Sequence, residues 1–297
     1  MRLLLVLSCL LVGCAEAPRP SSTSRGRPVV HAVNYPLAYF ASRIGGDLIS
    51  VQLLAPPDVD PAFWRPEDDD VLAMQEADLI LINGAGYARW LEAAILPRTR
   101  MADTSVAFRE RFVARESETT HTHGPSGRHA AGDPASTTWL DLSLAVLQAR
   151  AILNELTRRW PEHRGEFESR FAALERDLEE LDESMDELVT EAPLFCSHPV
   201  YQYWARRYGA DTRSLHWEPD QAPGEDDWSE LEALLREHQA QCMIWEQEPL
   251  ADTQEMLEDL GIRCVVLDPC AGSPPAGADF MTVMRRNQAN LAAGLPR

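Results

Sequence analysis

Five side chains that could bind a metal ion follow apolar segments in the second half of the sequence. They are His198, His216, Glu218, Glu246 and Asp268. If those segments are strands of one open parallel sheet, ligands are expected beyond the carboxyl ends of the strands, where these side chains would lie. Imidazole and carboxylate groups bind divalent cations, and the large share of oxygen favours a hard ion such as Mn²⁺ over an all-imidazole zinc site. The pattern predicts a cation site, although a histidine at a strand end and an Asp-Pro pair also suit purely structural roles.

The first half of the sequence offers fewer such groups. The polar candidates at its strand ends are Asn34, Asp58, Asp60 and Asn83, and the loop after the second strand adds Ala62, Phe63 and Trp64. None of these residues is a histidine. We therefore expect the second half to supply most of the ligands of any metal site.

Strands and helices alternate along the chain in a way that would bring these groups together. Apolar or β-branched runs predict strands at residues 29–35, 49–55 and 78–84, and again at 194–198, 212–217, 242–246 and 263–268. Helical patterns fill the intervals, at 36–45, 67–77, 200–208, 226–238, 252–260 and 279–291. Strands that alternate with helices in this manner imply parallel βαβ units.

A long helix is predicted after Pro161. Its apolar residues step by four and three along the chain: Phe167, Phe171, Leu174, Leu178, Leu181, Met185 and Leu188. About 24 residues at 1.5 Å each would span about 36 Å, with the charged residues on the wet face. The predicted fold class is α/β: two lobes, each with a parallel sheet flanked by helices, joined by a long rigid helix.

The start of the chain predicts export. Met1-Arg2 is a short basic start, residues 3–11 are mostly apolar, and Leu11-Val12-Gly13-Cys14 resembles the bacterial lipobox. The apolar run is shorter than the roughly 20 residues of a membrane-spanning helix, so a signal peptide is the better interpretation. Cleavage before Cys14 would leave that cysteine lipidated; an ordinary signal peptide with an incidental cysteine is the alternative.

These features together predict the organisation of the domains. The expected units are a signal peptide (1–13), a lipid-anchored linker (14–28), an N-terminal α/β lobe (29–138), a helical connector with the long helix (139–190) and a C-terminal α/β lobe (191–297). The protein would be exported and lipid-anchored at the cell membrane or in the periplasm.

The charge of the chain excludes several classes of partner. There are 47 acidic residues against 27 basic ones, which gives a net charge of -20, and lysine is absent. Such a field repels nucleic acid and anionic membrane surfaces, and it concentrates cations near clefts. We expect no nucleic-acid partner, and membrane contact through the lipid anchor only.

Cysteines and a histidine-containing loop leave two questions open. Cys196, Cys242, Cys264 and Cys270 could form one or two disulfides or remain free thiols, and the sequence does not choose between them. A polar loop at residues 111–137 contains glycine and proline together with His121 and His123. Those imidazoles could capture a metal ion weakly, or the loop could simply be solvated.

Many ordered motifs give the chain a family resemblance. They are Tyr-Pro-Leu at 35–37, Ile-Gly-Gly-Asp at 44–47, Pro-Pro at 56–57, Val-Asp-Pro at 59–61, Gln-Glu-Ala-Asp-Leu at 75–79, Asn-Gly-Ala-Gly at 83–86, Trp-Leu-Glu at 90–92, Trp-Leu-Asp at 139–141, Ser-His at 197–198, Tyr-Trp-Ala-Arg-Arg-Tyr-Gly at 203–209 and Leu-Asp-Pro at 267–269. In these the chain resembles the zinc and manganese ABC-transporter substrate-binding lipoproteins. The resemblance implies two α/β lobes joined by a rigid helix, a metal ion between them, and delivery of that ion to a membrane permease.

The resemblance also implies four metal-ligand positions, of which this chain keeps two. His198 and Asp268 stand where the family has its Ser-His and Leu-Asp-Pro ligands. The two positions where the family usually has histidine are Ala62 and Thr137 here. Tight sites for first-row metals use three or four protein ligands, so these two losses bear directly on affinity.

Several ways of completing the site remain open at this point. Glu218, Glu246 or His216 could complete a site built from the C-terminal lobe; His121 or His123 could reach it from the loop; or Phe63 and Trp64 could line a pocket for a different, partly apolar ligand. A further alternative is a degenerate relative that keeps the fold and acts as an interaction protein without tight metal affinity.

The expected function is that of a binding protein rather than an enzyme. No nucleophile elbow, His-Glu-x-x-His or phosphate-binding glycine-rich loop is found in the sequence. We expect a monomer that captures a divalent metal ion, Zn or Mn, in the cleft between the lobes and presents it to an ABC-transporter permease.

Overall fold

The computed structural model describes residues 26–57, 59–114, 134–189 and 191–296, and the backbone of two short strands within 122–128. The predicted signal peptide, Cys14 and the side chains of His121 and His123 lie outside the described residues. Within that described part, none of the helices is both long and apolar enough to cross a membrane.

The first sheet contains four parallel strands in the order β2-β1-β3-β4. Its elements along the chain are β1 (Val29–Ala32), α1 (Tyr35–Gly45), β2 (Ser50–Leu53), α2 (Asp68–Glu76), β3 (Leu79–Ile82) and β4 (Met101–Asp103). The sequence missed β4, because three half-buried residues are too few to show a periodicity.

The helices of the first half begin where the sequence places N-terminal signals. The side chain of Asn34 accepts a hydrogen bond from the Leu37 N–H and so caps α1, and Pro36 stands in its first turn. Three aspartates in the first turn of α2 complement the positive end of the helix.

Two long helices follow the first sheet and precede the second along the chain, α3 (Leu142–Arg159) and α4 (Arg164–Asp186). The predicted long helix is α4, with 23 residues, and six members of the predicted apolar stripe are buried on it. Leu188 lies past the end of the helix. The stripe is buried because α4 packs against α3 and α1.

The second sheet is also parallel and four-stranded, in the order β10-β9-β7-β8. Its elements are β7 (Leu194–Cys196), α5 (Gln202–Tyr208), β8 (Thr212–Ser214), α6 (Glu225–Glu237), β9 (Cys242–Trp245), α7 (Ala251–Asp259), β10 (Arg263–Val266) and α8 (Phe280–Gly294). Two sheets of this kind, flanked by helices, confirm the predicted fold class. The short strands β5 (Thr122–His123) and β6 (Gly127–Arg128) pair as an antiparallel hairpin.

One continuous hydrophobic core joins the two halves. The rings of Phe40 on α1 and Phe280 on α8 pack edge to face at 5.3 Å. Two hydrogen bonds fix the loop after β10 against the first half: the Trp139 indole donates to the Pro269 carbonyl at 2.7 Å, and the Tyr35 N–H donates to the Ala271 carbonyl at 2.9 Å. The end of the second sheet is therefore held close to the loops of the first.

The described cysteines are all free thiols. Cys196, Cys242 and Cys270 are buried, and Cys264 is partly exposed. Cys264 pairs in register with Met243 on the neighbouring strand, and Cys242 pairs with Arg263. The question left open by the sequence is thus answered in favour of thiols rather than disulfides.

Candidate metal centre

Three of the predicted ligands line one cavity of about 780 Å³. His198, Glu218 and Glu246 reach it from the ends of β7, β8 and β9, which are neighbours in the sheet. The backbone keeps these ends in line beyond the strands, because the Ser197 N–H donates to the Ile244 carbonyl at 2.8 Å and the Trp217 N–H donates to the Ser197 carbonyl at 2.8 Å. Parallel strands therefore place these three of the five predicted side chains at one edge of the sheet.

His198 lies at the centre of this group. Its side chain is largely buried, with Nδ1 3.8 Å from Oε1 of Glu218. The ring of His216 lies 5.8 Å from the His198 ring between centroids, at an angle of 77°. His216 is therefore close to His198, although it is not among the residues that line the cavity.

The carboxylates around the cavity repel one another. Burial, and to a smaller extent the nearby carboxylates of Asp60, Glu218 and Asp268, together raise the pKa of Glu246 to about 8. Burial also raises the pKa of Glu218, as do the charges of Asp220 and Asp60, whereas His216 lowers it. A bound cation would relieve this repulsion, which makes the cluster favourable for positive charge.

Asp60 is a candidate ligand from the first half that the sequence-based site did not include. It lines the cavity, keeps access to solvent there, and its charge acts on both Glu218 and Glu246. Its Oδ1 accepts a hydrogen bond from the Ala62 N–H at 2.8 Å, which fixes the loop around it. The sequence signal was its position after the second strand; what the sequence lacked was any indication that this loop faces the second sheet.

Asp268 is held by groups outside the cavity. Its Oδ1 accepts a hydrogen bond from the Cys270 N–H at 2.7 Å, and its Oδ2 lies 3.0 Å from the Arg286 guanidinium. Burial raises the pKa of Asp268, and the Cys270 N–H and Arg286 both lower it. The next residue, Pro269, lines the cavity, so Asp268 stands beside the other candidates with both oxygens engaged.

The two positions at which the resemblance implies histidine face the same cavity. Ala62 and Thr137 are both among its lining residues. Ala62 has no donor atom in its side chain, and the Thr137 hydroxyl donates a hydrogen bond to the Val200 carbonyl. With Ala62 and Thr137 in place of the imidazoles, the acidic side chains that line the cavity on that side are those of Asp60 and Asp68.

Other polar candidates of the first half have structural roles. Asn34 caps α1 and its side-chain amide donates to the Asn83 Oδ1 at 3.2 Å. Asn83 in turn donates to the Ser136 carbonyl at 2.8 Å and accepts from the Gln148 amide at 3.0 Å. These buried amides tie the strand ends of the first sheet together and leave no atoms for an ion.

The candidate donors do not form a closed set of ligands. Among the residues that the structure describes, no three His, Cys, Asp or Glu side chains converge tightly enough to hold a metal ion as they stand. His198, Glu218, Glu246 and Asp60 nevertheless offer one nitrogen and several oxygens around one cavity. That donor set fits a divalent first-row ion, provided that small side-chain movements close it.

Comparisons with known proteins agree with this architecture. The chain is 24% identical over 302 residues to the zinc-binding lipoprotein AdcA of Streptococcus pneumoniae strain R6, covering 96% of this chain and 59% of that protein. It is 23% identical over 308 residues to the high-affinity zinc uptake system protein ZnuA of Bacillus subtilis, covering 96% and 94%. The crystal structure of the metal-dependent lipoprotein YcdH from Bacillus subtilis superposes with a TM-score of 0.76 at 20% identity, over 91% of this chain and 99% of that one.

A family model identifies the chain more directly. The model for the ZnuA family, described as zinc-uptake complex component A, periplasmic, matches residues 30–294. That match spans both sheets and the helices between them. It confirms the family resemblance and the prediction of a binding protein rather than an enzyme. The chain belongs to the ZnuA family of zinc-uptake components.

Proposed function

We propose that this protein captures a divalent metal ion, Zn²⁺ or Mn²⁺, in the cavity between the two sheets and presents it to an ABC-transporter permease. The ion is cargo and undergoes no covalent chemistry. His198, Glu218, Glu246 and Asp60 are its proposed ligands. His216 and Asp268 are proposed as alternative ligands on the side of the second sheet.

One observation carries the proposal: His198 lies 3.8 Å from Glu218, and both line the same cavity as Glu246, a carboxyl group whose pKa is raised to about 8. Burial, and to a smaller extent the nearby carboxylates, raise that pKa because both disfavour the charged form of the group. A divalent cation supplies the missing charge. The net charge of -20 adds a long-range field that draws cations toward the cavity.

The chemistry of the donors supports a hard or borderline ion. Carboxylate oxygens outnumber imidazole nitrogens around the cavity, which suits Mn²⁺, whereas zinc more often takes histidine or thiolate ligands. The buried cysteines lie within the sheet and loop cores, so they do not favour zinc here. The family, in contrast, is described for zinc. Direct titration distinguishes the two ions.

Export through a lipid anchor at Cys14, with delivery to a permease, belongs to the same proposal. Two relatives are named as lipoproteins, and the start of this chain resembles a signal peptide with a lipobox. The chain spans only 59% of the length of AdcA. The activity of the whole AdcA protein is therefore only proposed for this chain.

Isothermal titration of the metal-free protein tests the proposal. We expect submicromolar binding of Zn²⁺ or Mn²⁺ with one ion per chain. His198→Ala should abolish it, and the double variant His121→Ala with His123→Ala should change it little. His163→Ala, on a partly exposed histidine beside Phe167 and outside the cavity, is the matched control and should bind as the parent does.

Two results would contradict the proposal. Absence of submicromolar heat with Zn²⁺, Mn²⁺ and Fe²⁺ would favour the alternative of a degenerate relative that acts as an interaction protein. Loss of binding in the loop variant with binding retained in His198→Ala would move the site to the histidine-containing loop.

A further inference from the structure

The cavity is larger than a metal ion requires. An ion with about six waters occupies roughly 180 Å³ at about 30 Å³ per water, whereas the cavity measures about 780 Å³. Most of the lining residues come from the first half of the chain, among them Ala62 and Thr137, which stand where the family resemblance implies imidazoles. The cavity therefore has spare room, and its lining lacks the two imidazole donors.

Aromatic side chains from the first half also line the cavity. Phe63, Trp64 and Trp90 are all lining residues, and the two indole rings pack edge to face at 5.2 Å. The Trp90 indole N–H donates to the Pro61 carbonyl at 3.0 Å, which fixes the ring in place. Hydrated ions gain nothing from a rigid apolar wall, whereas the flat or apolar part of an organic molecule does.

An arginine in the same wall is suited to an organic ligand. Arg65 lines the cavity, is exposed, and forms no ion pair with any residue that the structure describes. A guanidinium recognises a carboxylate, often through two parallel hydrogen bonds. A bare cation is repelled by this group.

We propose that the cavity takes its metal ion together with a small amino-acid-type chelator, which supplies nitrogen donors to the ion, a carboxylate to Arg65 and an apolar or flat part to the wall of Trp64 and Phe63. This inference rests on the proposed function, because the ion is still held by His198 and the carboxylates of the second sheet. It names the substrate class as a metal chelate.

The charges of the cavity favour nitrogen donors over additional oxygens. Asp60, Glu218 and Glu246 already place three carboxyl groups around the ion. A polycarboxylate such as citrate would add more negative charge to this cluster, whereas an amino acid adds one carboxylate, directed to Arg65, and neutral nitrogens at the ion. Those nitrogens would stand in for the imidazoles that are missing at positions 62 and 137.

Equilibrium dialysis with labelled L-histidine as the chelator tests this directly. At fixed total zinc, added histidine lowers the concentration of free Zn²⁺, so it must weaken the binding of a bare ion. If histidine enters with the ion, it strengthens zinc retention instead. We expect at least tenfold tighter retention of zinc, with protein, zinc and histidine at one to one to one, and no retention of labelled citrate.

Arg65→Gln is the discriminating variant. It should lower histidine retention at least tenfold without weakening the binding of zinc added alone. Arg236→Gln, on an exposed arginine of α6 far along the chain from the cavity loop, is the matched control and should behave as the parent does. His198→Ala should lose both zinc and histidine.

The outcomes separate this inference from the proposed function. Zinc that binds in a His198-dependent manner and is displaced by histidine overturns the chelate and leaves the metal-binding proposal standing. Histidine retention that survives Arg65→Gln overturns the assigned carboxylate site. Retention of citrate instead of histidine overturns the choice of an amino-acid chelator, and absence of zinc retention in every arm overturns both proposals.

Discussion

The Nδ1 atom of His198 lies 3.8 Å from Oε1 of Glu218, although the two residues end different strands. They meet because β7 and β8 are neighbours in a parallel sheet. The separation exceeds a hydrogen bond, and it is somewhat wider than the roughly 3.3 Å between two atoms that each lie about 2 Å from a shared tetrahedral ion. A small movement of the two side chains would therefore let both atoms bind one ion.

Glu218→Gln tests that pair. The substitution keeps the size of the side chain and removes its charge, so we expect metal affinity to fall about 10- to 100-fold, with little change in the unfolding midpoint of the metal-free protein. Titration calorimetry measures the affinity, and thermal unfolding in a chelating buffer measures the stability. The control is Glu232→Gln on the exposed face of α6. Equal affinities for the two variants would remove Glu218 from the site.

The second prediction concerns pH. Because burial and the surrounding carboxylates raise the pKa of Glu246 to about 8, this group is mostly protonated at pH 7 in the metal-free protein. An ion that binds its carboxylate must displace the proton, so binding should release close to one proton at pH 7 from this group. The apparent affinity should rise between pH 6 and pH 8 and level off above the pKa.

Calorimetry in two buffers with different heats of ionisation counts the released protons. In Glu246→Gln the release should fall by about one proton at pH 7, because the amide has no proton to lose. A measured heat that is independent of the buffer in the parent protein would show that Glu246 does not coordinate the ion.

The third prediction concerns the ion pair of Asp268. Arg286 lies 3.0 Å from its Oδ2 and competes with any cation for that oxygen. Arg286→Gln should free the carboxylate and remove one positive charge near the site, so we expect metal affinity to increase about 3- to 10-fold. Arg285→Gln, on the neighbouring exposed residue of α8, controls for the change in net charge. Unchanged affinity in Arg286→Gln alone would place Asp268 outside the coordination sphere.

The fourth prediction restores the missing imidazoles. Ala62→His combined with Thr137→His puts two nitrogen donors into the lining of the cavity. With His198 they make a site of three or more strong ligands, and we expect zinc affinity to increase at least 100-fold, into the nanomolar range. The loss of the Thr137 hydrogen bond to Val200 should cost about 1 kcal/mol of stability.

Competition against a fluorescent zinc indicator resolves affinities of that order, and each single variant serves as the control for the pair. If the double variant binds no more tightly than the parent, positions 62 and 137 do not face the ion, and the correspondence with the family's ligands is wrong there.

The sequence predicted the order of the elements well, because periodicity is a local property of the chain. The stripe from Phe167 to Met185 repeats every three or four residues, so it specifies a helix with one buried face whatever surrounds it. The predicted strands are correctly placed and run up to three residues too long, since backbone hydrogen bonds such as that from the Trp217 N–H to the Ser197 carbonyl continue past the strand ends. β4 escaped detection because it is too short for any pattern.

By itself the sequence determined the α/β class, the long helix, the acidic charge and the absence of histidine at positions 62 and 137. Only the tertiary structure decided that Asp60 from the first half acts on Glu218 and Glu246, and that Arg286 holds Asp268. The physical reason is the distance along the chain over which each feature is specified. A period of two or 3.6 residues depends only on neighbouring positions. Contacts between the loop after β2 and the edge of a sheet about 150 residues later depend instead on how the two halves pack.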